Sequence, residues 1–287
     1  MHPGQRADDE RAEMLATNAA QAQYYDQRAS VSAGEEAYAS QSVGDGRATR
    51  LWRAARARAG ASVSGDARAR VHAMQASWIG PLDDLKVLDL GCARGSPLTW
   101  HLAKGASEFH ALDLSPRQVD ALKGWLGDAP RRHFHAGDVL AQVWGGGGFD
   151  VIYAHSVLHH FPHIAPLADA LEAHLAPGGR VVAYDPLDTW LPGRAMRAAY
   201  RPFQTDADWE FPFTAQRLAE LERRFEVLDR VGVFGWGKWA WALGLASPAL
   251  ARRWGDTLFF KDFAGGERGV QPIRGCLHVA LHLQRKS

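Results

Sequence analysis

KVLDLGCARG, from Lys86 to Gly95, is the stretch on which the reading of the whole chain turns. Its first five residues have the make-up of a buried strand, and the rest is a glycine-containing turn. Beyond it, short β-rich runs alternate with helical patterns, the signature of a parallel sheet covered by helices. FHALDL (Phe109 to Leu114) and HFHAGD (His133 to Asp138) are the next strands, each carrying an acid at its end. FDVIYA, RVVAYD, FEVLDRVGV and LHVALHL follow, beginning at Phe149, Arg180, Phe225 and Leu277. The fold expected is α/β: a Rossmann-like, seven-stranded, mostly parallel sheet with helices on both faces, its last pair antiparallel.

The intervening helices announce themselves by caps and periodicity. One is expected from about Ser96 to Lys104, and another from Pro116 to Leu126 behind an N-cap at Ser115. A third carries Leu167, Leu171 and Leu175 at i, i+4 and i+8, and is expected to stop at Pro177-Gly178-Gly179. A fourth lies around Gln216 to Arg224. The four glycines Gly145 to Gly148 read as a flexible approach to the fourth strand.

Composition narrows the possibilities. The 287 residues are 46% hydrophobic and 10% aromatic, enough for a sizeable core without staples. Thirty-three Lys and Arg against 32 Asp and Glu leave a formal charge of +1, which argues against a globally basic nucleic-acid binder and an acidic disordered chain. Cys92 and Cys276 are too few for a disulfide framework or a cysteine-rich zinc site, so a reducing compartment is expected. The opening MHPGQRADDER carries acids where a secretory signal carries bases. The longest uncharged run, thirteen residues between Lys238 and Arg252, is too short to span a bilayer. A soluble, cytoplasmic protein is expected.

Three stretches fall outside the alternating core. Residues 1–80 are Ala-rich and read as a helical lid segment, loosened by a Gly/Ser patch near Ser32 to Gly46. Residues 81–287 form the main domain, with cap insertions at 187–213 and 234–275.

In a doubly wound sheet, ligands sit beyond the carboxyl ends of the strands at the switch point. Gly91-x-Ala93-x-Gly95 leaves backbone bare for close approach of a ligand. Asp89 is placed to bond an ammonium group. Asp113, 24 positions later, is placed to bind two ribose hydroxyls. Asp138 is placed to accept from an adenine amino group, with Leu114 or Val139 against the ring. A nicotinamide-dinucleotide reading fits less well, because its third glycine would fall at Ser96.

VLDLGCARG, ALDLS, AGDVL, FDVIYAHSVLHHF and LAPGGRVVAYD, in that order, resemble the successive motifs of the class I S-adenosylmethionine-dependent methyltransferases of small-molecule type. The resemblance is tight from Leu85 to Asp185 and looser to the last strand. It implies S-adenosylmethionine as cofactor, with Asp89 toward the methionine amine, Asp113 the ribose and Asp138 the adenine. Gly91 and Gly95 would meet it through backbone. Ala93 departs from the family's usual glycine and narrows the turn. AQYYDQRA (Ala22 to Ala29) resembles a lid helix of such enzymes, from which Tyr24 or Tyr25 would reach the methionine moiety.

Methyl transfer needs an in-line nucleophile, and a proton acceptor where that nucleophile is a hydroxyl or activated carbon. His155, directly after the fourth strand, is expected nearest the methyl group, with His160 as a second base and His159 holding the turn. Asp185 is an alternative base or a binder of a polar group. The family's N/D-P-P-F/Y tetrapeptide, which marks amide or amino nitrogen targets, is missing after the fourth strand. No Cys/His cluster or carboxylate pair has metal-ligand spacing along the chain, so no metal is expected.

The cap carries the substrate. Trp190, Tyr200, Arg201, Trp209 and Trp236 are the candidate contacts, because interleaved aromatics and arginines suit a planar or hydrophobic ligand. The segment Gly235 to Trp254 suits a helix over the pocket, a dimer contact or a membrane surface. Arg47, Arg50, Arg53, Arg56, Arg58, Arg68 and Arg70 read as a solvated helix face. The function expected is methylation of oxygen or activated carbon in a small hydrophobic metabolite, without a nucleic-acid partner. Methylation of protein or RNA, and a non-catalytic cofactor-binding role, stay open.

Overall fold

A computed structural model describes residues 3–31, 46–142, 144 and 148–286. Most of the Gly/Ser patch and Gly145 to Gly147 lie outside them. Helices α1 (Pro3–Val31), α2 (Arg47–Gly60) and α3 (Gly65–Ile79) precede the sheet. The first half alternates β1 (Lys86–Leu90), α4 (Thr99–Gly105), β2 (Glu108–Asp113), α5 (Pro116–Leu126), β3 (Arg132–Ala136) and β4 (Phe149–His155). A 3-10 turn at Leu158–His160 leads to α6 (Ile164–His174), β5 (Leu175–Pro186), α7 (Leu191–Tyr200), α8 (Ala215–Arg224) and β6 (Phe225–Val233). The chain closes with α9 (Lys238–Ala246), α10 (Pro248–Phe260) and β7 (His278–Arg285).

The strand order is β3-β2-β1-β4-β5-β7-β6. β7 is antiparallel to both its neighbours, and the other pairings are parallel. Chain order reverses between β1 and β4, so the crevice opens beyond Leu90 and His155. Strand alternation divides the core. Val87, Phe109, Val151 and Val182 pack on one face, Leu88, Leu112, Ile152 and Val181 on the other. Burying each such side chain contributes about 1.5–3 kcal/mol, and Leu88→Ala would remove about 2–5 kcal/mol.

Two helix boundaries differ from expectation. The helix expected from Ser96 starts at Thr99, because the Ser96 and Thr99 hydroxyls turn inward to Asp89. The helix expected to reach Pro177 stops at His174, and Leu175 already pairs with Phe149 as the irregular start of β5. The run after Gly235 is two helices rather than one. Pro248 occupies the first turn of α10, and the Ser247 hydroxyl accepts from the Leu250 N–H. These helices dock on the turn between α2 and α3: a Cβ at Gly244 or Gly255 would run into Ser62. Of the seven basic-run arginines, all but the half-buried Arg53 are exposed, as a solvated face requires. Among the described residues, no helix is long and apolar enough to cross a membrane.

Candidate active site

A cavity of about 1000 Å³ lies over the switch point. It joins the turns after β1, β2, β3 and β4 to the faces of α1, α2, α7 and α9. Gly91, Ala93, Gly95, Asp113, Leu114, Asp138, Val139 and His155 line it, as do Tyr25, His160, Trp190 and Tyr200.

The turn after β1 is shaped by its own backbone. Gly91 takes φ 63° and Gly95 φ 120°, and a Cβ at either would meet Val157 or Trp125. Ala93 takes φ 45°, the left-handed region where its methyl is unfavourable. Its N–H donates to Asp113 Oδ2 at 2.9 Å, and the Ser115 N–H donates to Oδ1 at 2.9 Å. Burial raises the Asp113 carboxyl, against these N–H groups.

Asp89 does not line the cavity. It is fully buried and accepts from the Ser96 and Thr99 hydroxyls, and burial pushes its carboxyl up to about 7. No cation pairs with it among the described residues.

Helix α1 closes the side of the cavity beyond β2 and β3. Asn18 donates to Asp138 Oδ2 at 2.9 Å, and Gln21 donates to the His160 carbonyl at 3.3 Å. Asp26 accepts from the Ser115 hydroxyl at 2.9 Å and the Arg117 N–H at 3.1 Å. Tyr25 faces the cavity, its phenol raised well above the ordinary range by burial. Tyr24 instead bonds Thr205 and Arg28.

Rings from three strands stack together, two of them, His155 and His278, lining the cavity. His155 stacks on Tyr184 at 5.2 Å and 15°, and Tyr184 stacks on His278 at 5.2 Å and 3°. Burial lowers His155 and His278 to about 3, so both are neutral. His160 donates from Nδ1 to the Trp209 carbonyl at 2.9 Å, and burial lowers it too to about 3. Among the described residues, neither His155 nor His160, the two bases expected, has a carboxylate hydrogen-bond partner.

His159 does. Its Nδ1 lies 2.8 Å from Asp185 Oδ1, which also accepts the His159 backbone N–H at 3.1 Å. Since Oδ1 is already an acceptor, the proton between the two belongs to Nδ1. Nε2 on the far edge of the ring is therefore the acceptor of a neutral imidazole. Burial lowers His159 and raises Asp185. His159 lines the cavity, whereas Asp185 is fully buried behind it and does not touch it, contrary to its expected substrate contact.

The cap residues divide as well. Tyr200 stacks on Trp52 at 4.8 Å and 15°, and Trp190 carries Lys238 over its ring at 4.8 Å; both rings reach the cavity. Arg201 is exposed and donates to the Ala207 carbonyl, so it turns away. Trp209 packs edge-on against Tyr24 behind the wall. Trp236 lies in a separate depression with Lys261 and Asp262. The wall also holds Asn18, Asp206, Glu210, Trp241 and His278, none of them expected. For His278 a signal existed: an antiparallel β7 presents its first residue where parallel strands present their last.

Residues 88–181 match the family described as "Methyltransferase domain". Over that stretch, from β1 into β5, the chain is similar to a methyltransferase domain. Over 100 residues, 34% of this chain, it is 29% identical to the chloroplastic tocopherol O-methyltransferase of Arabidopsis thaliana, and the match spans 29% of that protein's length. Solved methyltransferases share the fold. An S-adenosylmethionine-dependent one from Mesorhizobium loti superposes with a TM-score of 0.51 at 17% identity, covering 74% of this chain and 95% of that one. The geranyl diphosphate C-methyltransferase of Streptomyces coelicolor A3(2) superposes at 0.52 with 12% identity, covering 76% and 79%. S-adenosylmethionine fits the cavity on two counts. The turn at Gly91 and Gly95 presents backbone without side chains to the cavity wall, and the buried Asp89 carboxyl beneath it has no cation partner among the described residues.

Proposed function

We propose that the protein transfers a methyl group from S-adenosylmethionine to an oxygen or acidic carbon of a small, largely apolar molecule. The His159–Asp185 pair carries this reading, because it sets a neutral imidazole, bonded through Nδ1 to a carboxylate, in the wall of the cavity that the turns after β1 to β4 also line. When bound, S-adenosylmethionine supplies an electrophilic methyl on sulfonium sulfur. Asp113 takes the ribose hydroxyls and Asp138 the adenine amino group, with Leu114 and Val139 against the ring. Asp89 acts from below as the counter-charge for the methionine ammonium. Helix α1 serves as the lid through Asn18, Gln21 and Tyr25.

His159 Nε2 accepts the proton that the attacking hydroxyl or carbon releases as its bond to the methyl forms, and Asp185 steadies the imidazolium. His155 and His160 line the chamber as neutral rings, a revision of their expected role as bases. Trp52, Trp190, Tyr200 and Trp241 supply flat apolar wall, which favours a substrate with an aromatic or isoprenoid-like body. The test is transfer of labelled methyl to a panel of phenols, quinols and terpenoids, followed by identification of the product. Label entering only protein or RNA would refute the small-molecule reading. Binding without turnover across the panel would favour the non-catalytic one.

A further inference from the structure

The outer edge of the sheet carries a second cluster of chemistry-bearing side chains, unrelated to methyl transfer. Strand β2 contains Glu108-Phe109-His110 and strand β3 contains His133-Phe134-His135. Side chains alternate along a strand, so Phe109 and Phe134 enter the core on one face while the acid and three histidines share the other. The parallel register sets His110 directly opposite His133. Ligand atoms of Glu108, His110 and His133 lie within 4.8 Å of one another. Glu108 Oε1 is 2.7 Å from His110 Nε2 and 3.8 Å from His133 Nε2.

We propose that Glu108, His110 and His133 bind one divalent transition-metal ion of the zinc type. Two imidazoles and a carboxylate are the donors such an ion prefers, whereas calcium and magnesium favour oxygen alone. Bonds of about 2.0–2.2 Å in a tetrahedron put donors roughly 3.3–3.6 Å apart, close to the spacings already present. His110 Nδ1 lies 3.1 Å from His135 Nε2. When His110 Nε2 turns to the metal, Nδ1 keeps the ring proton and donates it to His135, which fixes the ligand's orientation. The side chains of Glu108 and His133 are 38% and 40% exposed, which leaves water access to the fourth position. The cluster sits at the start of β2, five residues and about 16 Å from Asp113 at its end, so it is separate from the cofactor turns. Spacing along the chain gave no sign of it, because the ligands meet across strands.

Lys86 competes for the site. Its Nζ is 3.2 Å from Glu108 Oε1 and must leave when the ion enters. The proposal is tested by calorimetric titration of the metal-free full chain with ZnCl₂, and by the visible spectrum after CoCl₂ is added. One equivalent is expected to bind, with the intense d–d bands of low-coordinate cobalt. Binding should weaken at least about tenfold in His133→Ala and Glu108→Gln, weaken about tenfold in His135→Ala, and tighten in Lys86→Met. His163→Ala, on another face, should bind as the wild type does. If His133→Ala is misfolded by circular dichroism, Glu108→Gln and Lys86→Met decide. Absence of a bound equivalent, or equal binding by the wild type and the folded cluster variants, overturns the proposal.

Discussion

Asn18 on the first helix donates to Asp138 Oδ2 at 2.9 Å, 120 residues further along the chain. This bond ties α1 to the carboxylate proposed for the adenine amino group, and on that proposal the position of α1 and cofactor occupancy are coupled through one side chain. Asn18→Leu should weaken S-adenosylmethionine binding by about 1–2 kcal/mol and speed hydrogen exchange in α1. Unchanged affinity and exchange would separate the lid from the cofactor.

The proton acceptor is assigned to one of three neighbouring histidines. His159→Ala and Asp185→Asn should each lower kcat by about 10²–10⁴ with KM little changed, while His155→Phe keeps kcat within about tenfold. Because burial holds His159 far below the usual imidazole range, at about 3, the rate should show no acid limb near pH 6.5. A limb there, or equal losses in all three variants, would move the role elsewhere.

Stability should fall on acidification. His155, His159, His160 and His278 are lowered to about 3 by burial, so between about pH 3 and 6.5 the unfolded chain binds more protons there and unfolding is favoured. Asp89 and Asp185, raised to about 7, act oppositely, since the folded chain holds their protons and loses stability as pH rises from about 4 to 7. His72, His110, His135, His174 and His282 are lowered by burial as well, and Asp113, Glu210 and Asp262 are raised by it. The histidines outnumber the carboxyls, so denaturant midpoints should decline from pH 6.5 to 4.5, and His155→Phe should flatten the decline. Midpoints that rise on acidification would contradict this.

Ala93 offers a test of strain. Ala→Gly usually costs up to about 1 kcal/mol, yet at φ 45° the lost methyl relieves about 1–2 kcal/mol. Ala93→Gly should therefore be neutral or stabilising in chemical unfolding. A loss of more than about 1 kcal/mol would show that the methyl packs favourably there.

Much of this was legible in the sequence because strand ends are local events. Strand-forming runs closing near Asp89, Asp113 and Asp138 mark both the sheet and the edge at which the cofactor is proposed to bind. What escaped depends on contacts between distant segments. Asp89 and Asp185 read as ligand contacts because they end strands, but the hydroxyls of Ser96 and Thr99 and the ring of His159 claim them first. Trp236 and Trp241 share one aromatic run. Only the fold of α9 over α2 sends Trp241 to the cavity and leaves Trp236 outside it.

Calorimetric titration with S-adenosylmethionine, comparing the wild type with Asp113→Ala, bears most directly on the cofactor assignment. A single site of micromolar affinity, weakened by one to a few kcal/mol in the variant, is the predicted result. No measurable heat with the wild type, or equal affinity in the two proteins, would contradict it.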